Sequence, residues 1–457
     1  MKEFTVLICS MTIHLLSSKG IALGLVLLLF WLKGRQLGFQ PKEWENYFLG
    51  LSQKKVLNVP NLRFPEFTDK WEAGKLEEYI LLVSGQDLSS EQYTDKEDVY
   101  PYITGASSLN SEGIILNRWT HTPTQIVKRG DILLVCKGSG VGQLTVLSNV
   151  DKAHIARQIM GIRAKNTESQ LFIYHYLSRL MTELKKRSTG IIPGIDRKSI
   201  LSLHISIPSL QEQQKVAELL SLIEQRIITQ NKIIEDLKKL KSAICEKLFS
   251  SPKDKQPQIR LYGFFGDWHF VRLSDICHRI CRKNTGEQCK QVLTIAAQYG
   301  LVSQEEFFNK NVASENLSGY YLLQKGDFAY NKSYSGDYVW GTVKRLDNYE
   351  QGVLSPLYIC FRPDPARVDS DFLIYYFESK KWHKTVANIA GEGARNHGLL
   401  NISVVDYFNT IHCIPSMDEQ KQIAQIIGTL LSKIAREQRM LNCYAAQRQY
   451  LLRQMFI

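Results

Sequence analysis

Two stretches of this chain carry apolar residues at steps of four, three and seven. In the first the positions are Val216, Leu220, Ile223, Ile227, Ile234, Leu237, Ile244 and Leu248, the a/d seam of a heptad repeat on one long helix. The second is the same stripe displaced by 207 residues: Ile423, Ile427, Leu430, Ile434, Leu441, Tyr444, Leu451 and Met455. Polar residues interrupt both seams at matching places, Gln230 with Glu437 and Lys241 with Arg448. Seam polar residues cost stability and are used to fix register, so their recurrence favours helices that pair over simple core packing. Forty helical residues extend about 60 Å.

Each stripe begins in the same way. A short β-like run, His204-Ile205-Ser206-Ile207 or Ile411-His412-Cys413-Ile414, meets a proline, Pro208 or Pro415. Ser209 or Ser416 then stands three residues ahead of Glu212 or Glu419, the spacing of a capping box. Upstream, Phe67-Thr68-Asp69-Lys70-Trp71 is echoed by Phe265-Gly266-Asp267-Trp268, and Lys128-Arg129-Gly130-Asp131 by Gln324-Lys325-Gly326-Asp327. The chain is therefore an internal duplication, each unit a variable globular part closed by a nearly constant helix.

Within the variable parts, Asp131–Cys136 and Asp327–Tyr330 predict short strands, while Leu171–Leu184 and Phe372–Val386 predict helices. The fold class read from these patterns is α+β, two tandem mixed α/β domains, each followed by a long helix. A helix leaving the first domain delivers the chain to the second, and its copy must run back, so the pair is expected to be an antiparallel coiled coil with pseudo-two-fold symmetry. The expected layout is a first domain over 57–207, its helix over 208–249, a Pro-containing linker over 250–258, a second domain over 259–414 and its helix over 415–457.

Residues 1–50 do not match this plan. Ile21–Leu32 is an apolar run of signal-peptide length, short of the roughly 20 residues that span a bilayer. Three readings fit it: a membrane anchor or export signal, a buried helix, or translation upstream of the true start. The last is favoured because Leu51-Ser52-Gln53-Lys54-Lys55 looks like an amino terminus and the repeat begins only after it.

Composition adds one strong constraint. Fifty-seven Lys and Arg against 45 Asp and Glu give a net charge of +12. Residues 1–50 hold five of those bases and three of the acids, so the rest retains +10. Such a surplus makes nucleic acid the first partner to consider. Nine cysteines, an odd number without a short-spaced framework, fit reduced thiols and a cytoplasmic location.

Two variable domains, each closed by a Pro-Ser-(Leu/Met)-x-Glu-Gln helix, together with the run Gly393-Ala394-Arg395-Asn396-His397-Gly398-Leu399-Leu400-Asn401-Ile402, resemble the specificity subunit of type I restriction-modification systems. The resemblance covers about residues 57–457. It implies that the variable domains are target-recognition domains, each reading one half of a split double-stranded DNA sequence. It also implies that the helices act as a ruler between the domains and dock two methyltransferase subunits, with restriction and translocase subunits completing the complex. No catalytic residue would come from this chain, and S-adenosylmethionine, ATP and Mg would belong to the partner subunits.

DNA contacts divide into those that position the protein on phosphates and those that read base edges. The glycine-rich loop after the first strand offers Lys137, Ser139 and Gln143, and its counterpart in the second copy offers Lys332, Ser333, Tyr334 and Ser335. Glycine allows close backbone approach to phosphate, while Lys, Ser, Tyr and Gln reach the major groove; a plain hairpin is the alternative. Ahead of the long helices lie Arg197 and Lys198 in the first copy and Arg395, Asn396 and His397 in the second, residue types that pair with guanine and adenine. Lys185, Lys186 and Arg187, at the end of a helix, form a candidate phosphate clamp or a solvated face.

Other chemistry finds no complete constellation. There is no phosphate-binding G-x-x-x-x-G-K-[ST] sequence. Asp364, Glu378 and Lys380 imitate a metal-dependent nuclease only superficially, because Glu378 falls on a helix and the first copy has Leu177 or Ser178 there. Ser355-Pro356-Leu357-Tyr358 lacks the polar residue and second proline of an adenine-methylating loop. Cys277, Cys281 and Cys289 with His269 or His278 do not have zinc-site spacing, so no metal is expected. The competing hypothesis is a membrane-tethered coiled-coil adaptor anchored by Ile21–Leu32.

Overall fold

The computed structural model describes residues 58–457 except 111–112, 139, 166–167, 188–193, 297–299, 309–315, 334–337 and 391–399, and of 183–187 it describes the backbone only. The chain forms two compact units, one of residues up to 232 together with 439–457, the other of residues 233–438. The apolar run Ile21–Leu32 lies outside the described residues.

In the first unit the chain enters on β1 (Glu72–Lys75), a single helical turn α1 (Leu76–Tyr79) and β2 (Ile80–Ser84). It continues through β3 (Tyr100–Ile103), β4 (Trp119–Thr120), β5 (Ile126–Lys128), β6 (Ile132–Val135), β7 (Leu144–Val146), β8 (Lys152–Ile155) and β9 (Ile159–Ala164). Two four-stranded sheets result, ordered β4-β3-β8-β5 and β2-β9-β6-β7. β6 is buried at every position, which is why its sequence ILLV is continuously apolar rather than alternating. Helix α2 (Gln170–Arg187) follows, then the short α3 (Arg197–Leu201) and β10 (His204–Ile207), which pairs antiparallel with β1.

The second unit repeats the frame: β11 (His269–Arg272), α5 (Leu273–Ile276) and β12 (Cys277–Arg279). Next come β13 (Leu293–Ala296), β14 (Gly300–Ser303), α6 (Gln304–Phe308), β15 (Tyr321–Gln324), β16 (Phe328–Asn331), β17 (Thr342–Arg345), β18 (Gln351–Leu354) and β19 (Ile359–Pro363). The sheet β12-β19-β16-β17 has the order of β2-β9-β6-β7 in the first unit. The frame closes with α7 (Ser370–Glu378), α8 (His383–Ala387), α9 (Val404–Phe408) and β20 (Ile411–Ile414). The pairings Glu72 with Ile207 and His269 with Ile414 occupy equivalent registers.

Two long helices complete the chain, α4 (Leu210–Leu248) and α10 (Met417–Gln454). In the first unit Val216, Leu220 and Ile223 of α4 share a core with Leu451, Leu452 and Met455 of α10. Arg448 donates to Glu224 at 2.8 Å, and the Arg226 guanidinium lies 6.0 Å from the Tyr444 ring, so rising numbers on one helix meet falling numbers on the other. That is antiparallel pairing. In the second unit Ile423, Ala424 and Ile427 of α10 join Cys245 and Leu248 of α4 in one core. Ile234 is buried, whereas Ile227, Leu237, Ile244, Leu430, Ile434, Leu441 and Tyr444 are half-buried.

The seam polar residues have separate explanations. Gln230 is buried and Glu437 half-buried. Arg448 pairs with Glu224 across the helices, whereas Lys241 leaves the seam to pair with Glu378 of α7 at 2.6 Å.

The recurring short motifs are structural. Asp131 and Asp327 follow glycines at φ 91° and 87°, a left-handed conformation that glycine adopts without penalty. Each carboxylate folds back to accept from the backbone N–H of the residue three earlier, Lys128 or Gln324, at 2.7 Å. Each is then neutralised by arginine from the adjoining strand, Arg163 or Arg362.

Glu212 does not complete the expected capping box. Its N–H reaches the Ser209 hydroxyl at 3.5 Å, but its carboxylate accepts two bonds from Arg63, both 2.7 Å, and one from Trp71 Nε1 at 3.3 Å. Glu419 is likewise taken by Arg260 at 2.9 Å. A buried guanidinium outbids a solvated N-cap amide for a carboxylate. The neighbouring glutamines tie the helix start to the preceding domain instead: Gln213 and Gln420 donate to Pro208 O and Pro415 O and accept from Ser169 N and Asp369 N.

The predicted helix over Phe372–Val386 is broken in two. Ser379 takes an extended ψ of 168° while its hydroxyl donates to Tyr376 O, ending α7. Trp382 then turns inward, donating to Phe377 O.

Candidate nucleic-acid interface

Strands β2 and β6 both run antiparallel to β9, so they are parallel to each other and their carboxyl ends open on the same edge of the sheet. Out of that edge comes the loop after β6. It is a tight hairpin: Val135 N donates to Gln143 O and Gly142 N to Val135 O, each within 2.9 Å. Gly138 and Gly142 have φ of 85° and 79°, and a Cβ on Gly140 would meet Ala106 Cβ at 2.3 Å, so these glycines are required by the turn and its packing. Lys137 projects exposed from the hairpin and Gln143 is half-buried; Ser139 lies outside the described residues.

The segment before α3 returns to the same edge. Ile195 N donates to Cys136 O at 2.8 Å, directly beside Lys137. Asp196 caps α3 by accepting from Ser199 N, and hydrogen bonds from the Ser199 hydroxyl and then its backbone hold the carboxyl below the ordinary range. Arg197 reaches back to the end of β2, donating to Leu82 O at 2.8 Å and to the Ser84 hydroxyl at 3.3 Å. Lys198 is exposed. The structure thus gathers Lys137, Arg197 and Lys198 at one end of one sheet, although no sequence spacing connected the two loops. Lys185, Lys186 and Arg187 end α2, and their side chains lie outside the described residues.

The second unit makes the same junction. Lys332 follows β16, and its carbonyl accepts from Leu400 N at 2.9 Å, tying the segment before α9 to the loop after the central strand. Ser333 N donates to Asn331 Oδ1 at 2.9 Å. Lys332 and Ser333 are half-buried; Tyr334, Ser335, Arg395, Asn396 and His397 lie outside the described residues. Beneath the loop, Tyr330 stacks on Tyr407 with centroids 4.4 Å apart and donates to Trp340 O, a rigid aromatic floor. Burial pushes the Tyr330 phenol well above its usual range, so it is a neutral donor.

Residues considered for other chemistry are occupied. Glu378 is held by Lys241 and Lys344, and Asp364 accepts from Ala366 N and pairs with Arg367. Cys277 is buried, and desolvation raises its thiol far out of the reactive range, while Cys281 is exposed. Among the described residues no three His, Cys, Asp or Glu side chains form a group that could hold a metal, and no helix is long and apolar enough to cross a membrane.

Residues 68–239, the first domain and most of α4, match the family model described as type I restriction modification DNA specificity domain. The chain is also 24% identical over 401 residues to the type I restriction enzyme MjaVIII specificity subunit of Methanocaldococcus jannaschii, covering 83% of this chain and 89% of that protein. Both findings liken the chain to type I restriction-modification specificity subunits. A second relative, the putative type I restriction enzyme MjaX specificity subunit of the same organism, is 26% identical over 189 residues, 40% of this chain and 44% of its own. The crystal structure of the type I restriction-modification S subunit from M. genitalium shares the fold at a TM-score of 0.54 and 17% identity, covering 87% of this chain and 99% of that chain.

Sequence reasoning missed one basic group in the second unit. Arg279, Arg282, Lys283 and Arg362 cluster around Asp327 and Tyr321. The signal available in the sequence was the run Arg279-Ile280-Cys281-Arg282-Lys283, which has no basic counterpart in the first copy.

Proposed function

We propose that this chain is the DNA-reading and assembly subunit of a type I restriction-modification complex, with each unit reading one half of a bipartite duplex target. The observation that carries the reading is the duplicated junction: in each unit the loop after the central strand and the segment before the last short helix meet by a backbone hydrogen bond, Ile195 to Cys136 and Leu400 to Lys332. Two such loops side by side bring together long polar side chains of the kinds that reach base edges in the major groove. Lys137, Lys198 and Lys332 are the described candidates for contact at those junctions, while Arg197, spent on Leu82 O, positions the segment. The constant helices serve as the spacer that sets the unread gap and as the docking surface for methyltransferase subunits, with restriction subunits joining the assembly. The chain itself is non-catalytic and cytoplasmic, and its partners carry S-adenosylmethionine, ATP and Mg.

The direct test expresses the chain with its methyltransferase subunits and maps methylated bases across the host genome. The expected result is one split motif, two short defined sequences separated by a fixed undefined gap. Methylation at a continuous motif, or no sequence-restricted methylation from a correctly assembled complex, contradicts the reading.

A further inference from the structure

The two units differ sharply at one equivalent position. The frame β1-α1-β2 of the first unit maps onto β11-α5-β12 of the second with a constant offset of 197, which sets Gly85 against Arg282. At Gly85 there is no room for a side chain, since a Cβ would lie 2.0 Å from Ala156 O. At Arg282 the backbone takes another course, with Leu322 N donating to Arg282 O, and the guanidinium reaches two acceptors, Leu322 O at 3.0 Å and Asp327 Oδ2 at 3.1 Å. Arg362 holds the other oxygen of the same carboxylate at 2.5 Å. Asp327 is fully buried, whereas Arg282 and Arg362 are 40% and 43% exposed. One carboxylate thus fixes two guanidiniums whose outer edges still meet solvent, leaving a net positive charge.

Two more cations join them. Lys283 sits over the Tyr321 ring, 3.9 Å from its centroid, and donates to Gly319 O; Arg279 reaches the Tyr321 hydroxyl at 3.5 Å. Both are exposed. Four cations therefore gather at one place: Asp327 holds Arg282 and Arg362, the Tyr321 ring and Gly319 O hold Lys283, and the Tyr321 hydroxyl meets Arg279. Preorganised guanidiniums lose little freedom on meeting an anion, and Arg matches phosphate oxygens in a fork. In the first unit, by contrast, Asp131 is paired, among the described residues, with Arg163 alone.

We propose that Arg279, Arg282, Lys283 and Arg362 form a phosphate-backbone anchor for duplex DNA that the second recognition unit has and the first lacks. The inference rests on the DNA-reading function proposed above. It also fits the geometry of the sheet: Asp327 opens β16 and Lys332 directly follows it, five residues or about 16 Å along an extended strand, enough to span the roughly 12 Å of a major groove. A backbone anchor at one end of the strand and an edge-reading loop at the other would hold one groove between them. Such an anchor strengthens binding to any sequence and carries no base preference of its own.

The test uses the full chain assembled with its methyltransferase subunits and measures affinity for target and scrambled duplexes across a salt series. Arg279→Gln, Arg282→Gln and Lys283→Gln are compared singly and together with Lys253→Gln, an exposed lysine of the 250–258 segment, as control. Each anchor substitution is expected to reduce the magnitude of the log K against log salt slope by about 0.9, and the triple variant by about 2.7, on both duplexes alike. The control should leave the slope unchanged. A triple variant that keeps its thermal midpoint and the wild-type slope overturns the anchor while leaving the DNA-reading function intact. An altered base preference at an unchanged slope overturns it too, because the residues would then be reading edges. If the assembled wild-type complex binds neither duplex, the DNA-reading function itself falls, and the anchor with it.

Discussion

Replacing Phe456 with alanine is expected to destabilise the first unit by about 3–5 kcal/mol, the range for deleting a buried aromatic ring. Phe456, only 3% exposed, lies within two residues of the end of α10, and its ring meets Phe172 and Tyr176 at 5.1 Å and Trp71 at 6.5 Å. Two bonds fasten the same end: Leu62 N donates to Gln454 O, and Tyr176 OH to Ile457 O. The second unit repeats the plug with Phe249 at the end of α4, against Phe372 at 5.4 Å and Tyr376 at 5.9 Å. Each long helix thus ends by inserting a phenylalanine into an aromatic nest. Urea unfolding of F456A followed by tryptophan fluorescence should show the loss in the transition that reports Trp71. A loss below about 1 kcal/mol would mean that the helix end is not part of the unit's core.

Glu212→Gln should have an effect of similar size for an electrostatic reason. Glu212 is 1% exposed and Arg63 13%, so the substitution takes the negative charge away from a guanidinium that lies largely out of water and donates to both of its oxygens. Breaking such a pair by neutralising one partner costs about 3–5 kcal/mol, far above the 0–1 kcal/mol of an exposed pair. Because Glu212 also begins the long helix, accepting from Trp71 Nε1, the same change loosens the joint between domain and helix. Calorimetry should show the midpoint falling by roughly 10 °C, with partial recovery when Arg63→Met removes the guanidinium as well. A Glu212→Gln variant within about 2 °C of the parent would show that the pair contributes nothing net.

What the sequence made legible follows from period and repetition. The two seams foretold α4 and α10, because a heptad stripe over some forty residues has no other economical burial. The strands His204–Ile207 and Ile411–Ile414 were recognisable from a proline stop after an apolar run. Long-range partners were not visible. Glu212 looked like a capping residue because Ser209 is three residues away, whereas the arginine that claims it lies 149 positions upstream. The break at Ser379 was hidden for a related reason: the apolar spacing continues through it, and only the inward turn of Trp382 shows that two short helices use it.

At the interface the sequence pointed to loops but not to their meeting. Nothing in the spacing of Cys136 and Ile195, or of Lys332 and Leu400, announces a hydrogen bond, since each joins two loops far apart in sequence that meet only in the folded unit. The basic cluster around Asp327 escaped notice because it occupies a position where the copies diverge, Gly85 in one and Arg282 in the other, and a search for recurrence passes over differences.

The central claim is that each unit reads its own half of the target, and exchanging one domain tests it most directly. Residues 60–200 are replaced with the corresponding domain of a related specificity subunit, and the methylated motif is mapped before and after. The account predicts that one half of the split motif changes while the other half stays as it was. A change in both halves, or in neither, from a complex that still methylates would contradict it.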